Sequence, residues 1–308
     1  MVAKFWDALG GKFADRWLAL SLPALVFWAA AILAWAVGTG QVDPVRTYID
    51  GLASASLGTQ LLVLAGGVLV VTVSAMIVER LTLPVTRLLE GHWPSRADPL
   101  RDRLVARRER RIKRDEDRWQ ELASKIAAKT ATPAEGRAYV GIEVDQRRIP
   151  ADGRRMPTRL GDILRAAETR PLDKYGLDAV KVWPDFWLVL PETARTDLTS
   201  ARGGMDQAIA GCIWAALATI LAVWWPGALL VGPLLAWIIY RSWVCSRAEV
   251  FADLVEAAFD VHRRALYGAL EWPLPKTPAD ECALGRAATD YIWRGSEATT
   301  PAFTTSES

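Results

Sequence analysis

Three cysteines and two histidines in 308 residues leave little material for metal or thiol chemistry. Cys212, Cys245 and Cys282 form no CxxC or CxxH pair, so neither a disulfide framework nor a zinc site is implied. Cys212 falls inside an apolar run and Cys245 just past the end of one, the ordinary setting of a small buried residue. His92 and His262 have no Glu or His at metal-ligand spacing, and His262 sits beside Arg263 and Arg264. P-loop, GxGxxG, HExxH and GxSxG patterns are all missing, so the usual nucleotide, zinc-protease and hydrolase signatures are missing too. Asp173, Asp178 and Asp185 surround Tyr175 and Trp183. They could converge on a cation, but helix caps and solvated turns are the simpler account. No catalytic, cofactor-binding or metal-ligating residue is assigned, and the expectation is a protein that is not an enzyme.

A second absence is charge within four long apolar runs. The most informative is Gln207 to Tyr240, broken once by Trp224-Trp225-Pro226-Gly227. Each half approaches the ~20 residues that cross a hydrocarbon core as a helix. Pro-Gly suits a tight turn, and paired tryptophans favour the membrane–water boundary. The other two runs are 18–37 and 61–78. No Asp, Glu, Lys, Arg or His lies inside any of the four. Intramembrane ionisable groups are the usual mark of transport and proton relay, so their absence counts against a coupled transporter. With 51% apolar residues and 15 Trp, the chain reads as a multi-span membrane protein.

Before the first run, Phe5, Trp6, Leu9 and Phe13 alternate with Lys4, Lys12 and Arg16, an amphipathic pattern suited to a membrane surface. Ala34-Trp35-Ala36 resembles a signal cleavage site. The run is longer than the ~7–15 residues of a signal core, which favours an uncleaved anchor. Residues 39–59 read as a polar loop. Gly66-Gly67 and Ser74 would allow close approach of a neighbouring helix.

Charge outside the runs is uneven. Residues 80–130 hold 14 Lys/Arg against 8 Asp/Glu, whereas 246–308 hold 6 against 10. The positive-inside rule then puts the segment after the second span in the cytoplasm, with both termini there too. Residues 80–94 read as a short interfacial element and 99–129 as a helix with Leu100, Leu104, Ile112, Trp119, Leu122 and Ile126 on one face. AYVGIEV, near 138–144, is compatible with a short strand. Thr158 is placed to cap a helix that Tyr175-Gly176 stops. The segment 180–191 concentrates Trp183, Phe186 and Trp187 between prolines and is too short to span, so it is a core piece or an interfacial wedge. Gly203-Gly204 suggests a bend before the third span. The fourth span predicts a continuous helix of about 44 residues, roughly 66 Å at ~1.5 Å per residue. A last helix from Thr277 to Trp293 follows, and 295–308 read as a disordered tail.

Three stretches look familiar together: LTLPVTRLLEGHWP at 81–94, RMPTRLGDILRAAE with YGLDAVKVWPDFW at 155–187, and ALGRAATDYIWRG at 283–295. They resemble a family of uncharacterised multi-pass membrane proteins from actinobacteria. The resemblance implies an inner-membrane protein with four spans and carries no activity, ligand or catalytic residue. Where members have Tyr-Trp-Pro, this chain has His92-Trp93-Pro94.

The expected fold is an all-α membrane protein with four transmembrane helices in two hairpins and a helical cytoplasmic domain. Its parts are 1–79 (amphipathic segment and first hairpin), 80–206 (basic cytoplasmic domain), 207–244 (second hairpin), 245–294 (helical extension and last helix) and 295–308. The strongest charge feature is Arg101, Arg103, Arg107, Arg108, Arg110, Arg111, Lys113 and Arg114. It follows a span closely and has few interleaved aromatics, which favours anionic lipid or an acidic partner over nucleic acid. One acidic candidate is the set of Glu249, Asp253, Glu256 and Asp260, of the same or a neighbouring subunit. Trp93, Trp183, Trp187, Trp224 and Trp225 are the candidate interfacial anchors. The preferred function is a plasma-membrane scaffold or assembly protein, homo-oligomeric or part of a complex. The alternatives are an oligomeric pore or membrane-perturbing effector, in which Thr72, Ser74 and Thr219 line a path only if several subunits surround it, and a lipid-modifying enzyme.

Overall fold

The computed structural model describes residues 2–40, 42–296 and 298–304; the side chains of 2–20, 42, 43, 45, 46 and 49 are outside that description. Among the described residues there is helix and no strand. The order is α1 (Val2–Thr39), α2 (Val42–Ala53), α3 (Leu57–Glu90), α4 (Asp98–Ala127), α5 (Pro133–Gln146), α6 (Arg159–Tyr175), α7 (Ala179–Val189), α8 (Glu192–Leu217), α9 (Ala228–Ile239), α10 (Cys245–Ala269) and α11 (Pro278–Arg294). Four stretches are long and apolar enough to cross a membrane: Ser21–Thr39, Leu57–Glu90, Glu192–Val223 and Ala228–Ala269. The amphipathic pattern at Lys4–Arg16 rests on side chains outside the described residues. The chain divides into two compact units, Met1–Thr86 with Asp206–Val244, and Arg87–Met205 with Cys245–Ser308.

In the first unit the expected loop after the first span is instead α2. Val45, Tyr48, Ile49 and Leu52 recur at i, i+3, i+4 and i+7, a helical stripe. The Gln60 amide then donates to the carbonyls of Leu52 and Ala53 at 3.1 and 3.3 Å, serving acceptors a helix end leaves open. The expected break at residue 80 is also absent, since α3 runs on to Glu90 with Pro84 inside it. Around the proline, Thr82 and Thr86 donate to the carbonyls of Val78 and Thr82 at 3.0 and 2.7 Å.

The apolar core here joins Ala31, Leu221 and Ala228. Phe27 and Trp214 meet with ring centroids 5.1 Å apart. After α8 the helix tightens into a 3-10 stretch, Ala218–Val223, and the chain turns at Trp224–Gly227. The Trp225 N–H donates to Leu221 O at 2.9 Å, and the Ala228 N–H donates to Trp225 O at 2.9 Å. Gly232 packs directly on the other side of this turn: a Cβ there would lie 2.7 Å from Thr219 N. Gly66 and Gly67 do not meet a neighbour in the way their spacing suggests. Among the described residues, no atom beyond their own stretch of helix lies within 4 Å of where their Cβ atoms would be, and they line an open cleft of about 940 Å³ beside Trp28 and Ile32.

In the second unit α4 carries Leu122 into contact with α5, and the Trp119 and Tyr139 rings stack at 5.4 Å. The stretch read as a possible strand is α5. Its start is fixed by a capping box in which Thr132 and Glu135 satisfy each other's backbone N–H groups, with Pro133 at the first position. Capping chemistry outweighs the β-branched residues that follow. Thr158 caps α6 through the Gly161 N–H, and Gly176 ends it at φ 74°. There is no bend at Gly203-Gly204, which α8 passes through as helix. Between α9 and α10 the helix stays continuous but widens to a π turn at Tyr240–Val244.

α7 is a core element. Val182 and Phe186 are fully buried, and Phe186 stacks on Phe259 of α10 with centroids 4.2 Å apart. α11 docks on the end of α6 by backbone contact; a Cβ at Gly285 would sit 2.0 Å from Tyr175 O. The last residues differ from the expected disorder as far as Thr304. The Thr304 N–H donates to Glu271 O at 2.7 Å, and Phe303 meets Tyr291 at 6.4 Å. Residues 305–308 lie outside the described residues.

Candidate functional site

Five ionisable residues of α10, Glu249, Asp253, Glu256, Asp260 and Arg263, are spaced four, three, four and three apart, so they share one helical face. That face is met by cations from α6 and from the turn after α5. The side chain of Glu256 is 6% exposed and accepts from Arg147, Arg170 and Lys174 at 3.3, 3.0 and 2.6 Å. Arg159 reaches Glu249 at 3.0 Å and Asp145 at 3.3 Å. Arg148 pairs with both Glu249 and Asp253. Lys174 also contacts Asp260 at 3.3 Å. The Tyr175 hydroxyl donates to Asp260 at 2.6 Å. Burial first, and then this bond, push the Tyr175 hydroxyl up to about 12. Arg263 covers the Tyr175 ring at 4.1 Å and binds Glu281 of α11 at 2.7 Å.

This seam corrects one sequence expectation. The acids of α10 are neutralised by Arg147, Arg148, Arg159, Arg170 and Lys174, not by the Arg101–Arg114 run. Sequence spacing drew attention to the densest cationic run. The five cations that matter here are scattered over 28 positions, and only their i, i+4 and i, i+11 placement on α6 (Arg170 with Lys174, Arg159 with Arg170) hinted at a common face. A seam of this kind adds little net stability over apolar packing, yet losing one member is costly. Its effect is to set how α6 and α10 register.

The predicted basic run divides into two sets. Arg108 turns inward: its Nε donates to the Asp162 carboxylate at 2.8 Å, and Nη2 binds the same oxygen. The Asp162 side chain is 1% exposed and also accepts from the Met156 N–H at 2.8 Å. Burial raises the Asp162 carboxyl above the usual aspartate value, against the opposing pull of Arg108. Arg108 is therefore a structural residue, since its charge is spent on a buried partner inside the same unit.

The remaining cations face outward. Arg103, Arg107, Arg110 and Arg114 are exposed and, at ~3.6 residues per turn, lie within about 60° of arc. Arg111 and Lys113 flank this stripe on either side, with Arg111 3.8 Å from Asp115. Arg101 is half-buried on the far side. Among the described residues no ion pair reaches Arg101, Arg103, Arg107, Arg110, Lys113 or Arg114. Arg110 and Arg114 donate to carbonyls four residues back at 3.2 Å, which leaves their charge uncompensated.

The tryptophans separate similarly. Trp93 follows the end of α3, and its Nε1 donates to Leu88 O at 2.7 Å. Trp183 and Trp187 are half-buried, with Trp183 in contact with Trp187, Phe186 and Phe259 at 5.8 to 6.2 Å. Trp224 and Trp225 are exposed at the turn, 37% and 46%. Asp178 caps α7, and Asp173 pairs with Arg154 at 3.0 Å; Asp185 is exposed, and the three do not converge. Two of the three hydroxyls considered for a pore lining bond their own helix, Thr72 donating to Val68 O at 2.7 Å and Ser74 to Val71 O at 2.9 Å, and Ser74 also accepts from Trp28 Nε1 of α1 at 3.2 Å.

No family model matches the chain, and no curated protein or solved structure matches it either.

Proposed function

We propose that this chain is a plasma-membrane assembly protein that works by binding. In this reading α1 with α3, and α8 with α9, form two transmembrane hairpins. Both termini and the second unit lie in the cytoplasm, as the arginines that follow α3 favour by the positive-inside rule. The observation that carries the proposal is the uncompensated cationic stripe of Arg103, Arg107, Arg110 and Arg114. The acids of α10 and Arg108 are matched inside the unit, whereas this stripe is turned to solvent on a helix whose opposite face is packed. A surface of that kind recruits an acidic or anionic counterpart.

Mild extraction of the protein from its own membrane, followed by native mass spectrometry, tests the reading. A homo-oligomer, or a complex with a defined second protein, is the expected result. A lone monomer under conditions that preserve other membrane complexes would overturn it. The inserted state is checked separately by resistance to alkaline carbonate extraction, and solubilisation by carbonate would remove the four-span premise itself.

A further inference from the structure

We infer that the counterpart of the α4 stripe is the anionic phospholipid surface of the membrane that holds the chain. This rests on the membrane-embedded reading above and adds the ligand class of its basic face. Three observations point to it.

The first is the geometry of the face. Arg103, Arg107, Arg110 and Arg114 run in one line over about 16 Å at ~1.5 Å per residue. Arg111 and Lys113 widen it, and all six are exposed. A straight row of long side chains on a rigid helix meets a plane of phosphates at every position. The helix is held in this orientation from behind, because Arg108, on its opposite side, is bound to Asp162.

The second is the tether. Arg103 lies thirteen residues after Glu90, the last residue of α3, and even a fully extended connection spans only about 45 Å. Attachment to a span makes the headgroup layer a partner at high local concentration at all times. A soluble acidic protein has no such advantage.

The third is chemical. No aromatic residue lies between Arg101 and Arg118, so the face lacks the stacking platform that single-stranded nucleic acid uses. The chain's own acidic face, on α10, is already taken by α6 and by Arg147 and Arg148. What remains is an unpatterned electrostatic surface, and this suits a lipid headgroup layer whose charges are mobile and lack a fixed register.

The test uses the full chain reconstituted in vesicles of phosphatidylcholine alone, or of phosphatidylcholine and phosphatidylglycerol in equal parts. Insertion is verified by carbonate resistance in both. A donor dye is placed by Ala106→Cys, with Cys282→Ser removing the one native thiol that is not buried, and energy transfer to a headgroup-labelled lipid is read. Transfer should be stronger in the phosphatidylglycerol vesicles, and the difference should fade as salt is raised. Each Arg→Gln in the stripe should weaken the association about fivefold, so R103Q/R107Q/R110Q/R114Q should abolish the lipid response. A matching Arg→Lys quadruple variant should retain it, which separates charge from fold. Equal transfer in the two lipid compositions would overturn the inference. So would a response to added polyglutamate in the absence of any response to phosphatidylglycerol, which would give the face to an acidic protein.

Discussion

Arg108→Ala probes the buried pair without touching the exposed stripe. The substitution removes both guanidinium bonds to Asp162 and leaves a carboxylate that is 1% exposed with only the Met156 N–H at 2.8 Å. Stranding one partner of a buried pair costs about 3 kcal/mol. Asp162→Asn is milder, about 1 kcal/mol, because an amide oxygen still accepts from Met156 and Arg108 can turn to solvent. The double variant carries no uncompensated charge and should lose about 1.5 kcal/mol, half the loss of R108A. Backbone amide exchange of residues 156–164 in the full-length reconstituted protein measures this directly. R108A should exchange about 100-fold faster than the parent, and R108A/D162N about tenfold faster. The pH dependence has a definite sign. Asp162 has a raised pKa in the folded protein, so the folded state binds its proton more tightly than the unfolded chain does. Its contribution to stability therefore improves as pH falls through the folded value. The R108A deficit should accordingly be full at neutral pH and shrink on acidification. A double variant no more stable than R108A, or a deficit that deepens in acid, would refute the reasoning.

Other variants report on other parts. Gly285→Ala places a Cβ 2.0 Å from Tyr175 O and should undock α11, seen as new protease cleavage between 270 and 295. Glu256→Gln removes the charge shared by Arg147, Arg170 and Lys174 and should loosen α6 from α10 by about 2–3 kcal/mol, read by exchange of both helices. Thr132→Ala removes the cap of α5 and should fray its first turn by about 1 kcal/mol. The partner in that capping box, Glu135, is held down to about 2 by the Thr132 N–H, with Lys125 and the Thr132 hydroxyl adding to the effect. Its support is present above the ordinary glutamate value and should be lost as pH falls towards about 2, seen as fraying of α5 alone.

What the sequence makes legible here is whatever depends on neighbours a few positions apart. Thr158, Gly176 and Thr277 act as a cap, a stop and a cap because those effects are local. The apolar runs are equally plain, since length and hydropathy alone qualify a span. The bend expected at Gly203-Gly204 is absent because a break signal is a local cost, and a long helix supported on either side absorbs it, as α3 also absorbs Pro84. The same holds for 39–59, where polar composition hides the helical stripe of α2. The basic run presents the opposite difficulty. Eight cations look equivalent in sequence, and only the position of Asp162, 54 residues on, singles out Arg108. The seam on α10 is harder still, because Lys174 and Glu256 are 82 residues apart.

That separation has a consequence for how the protein is made. Residues 87–205 leave the ribosome with Arg147, Arg170 and Lys174 already synthesised, but their carboxylate partners come only after 206–244, which belong to the other unit. At ~5–20 residues per second, Lys174 precedes Glu256 by about 4–16 s. Over that interval residues 87–205 carry 25 Lys/Arg against 19 Asp/Glu, and Arg147, Arg170 and Lys174 lack the α10 carboxylates that neutralise them in the finished protein. Maturation of the second unit is thus gated by translation of the last two apolar helices. A nascent chain stalled before α10 would leave Arg147, Arg148, Arg159, Arg170 and Lys174 without the carboxylates that cover them in the finished protein.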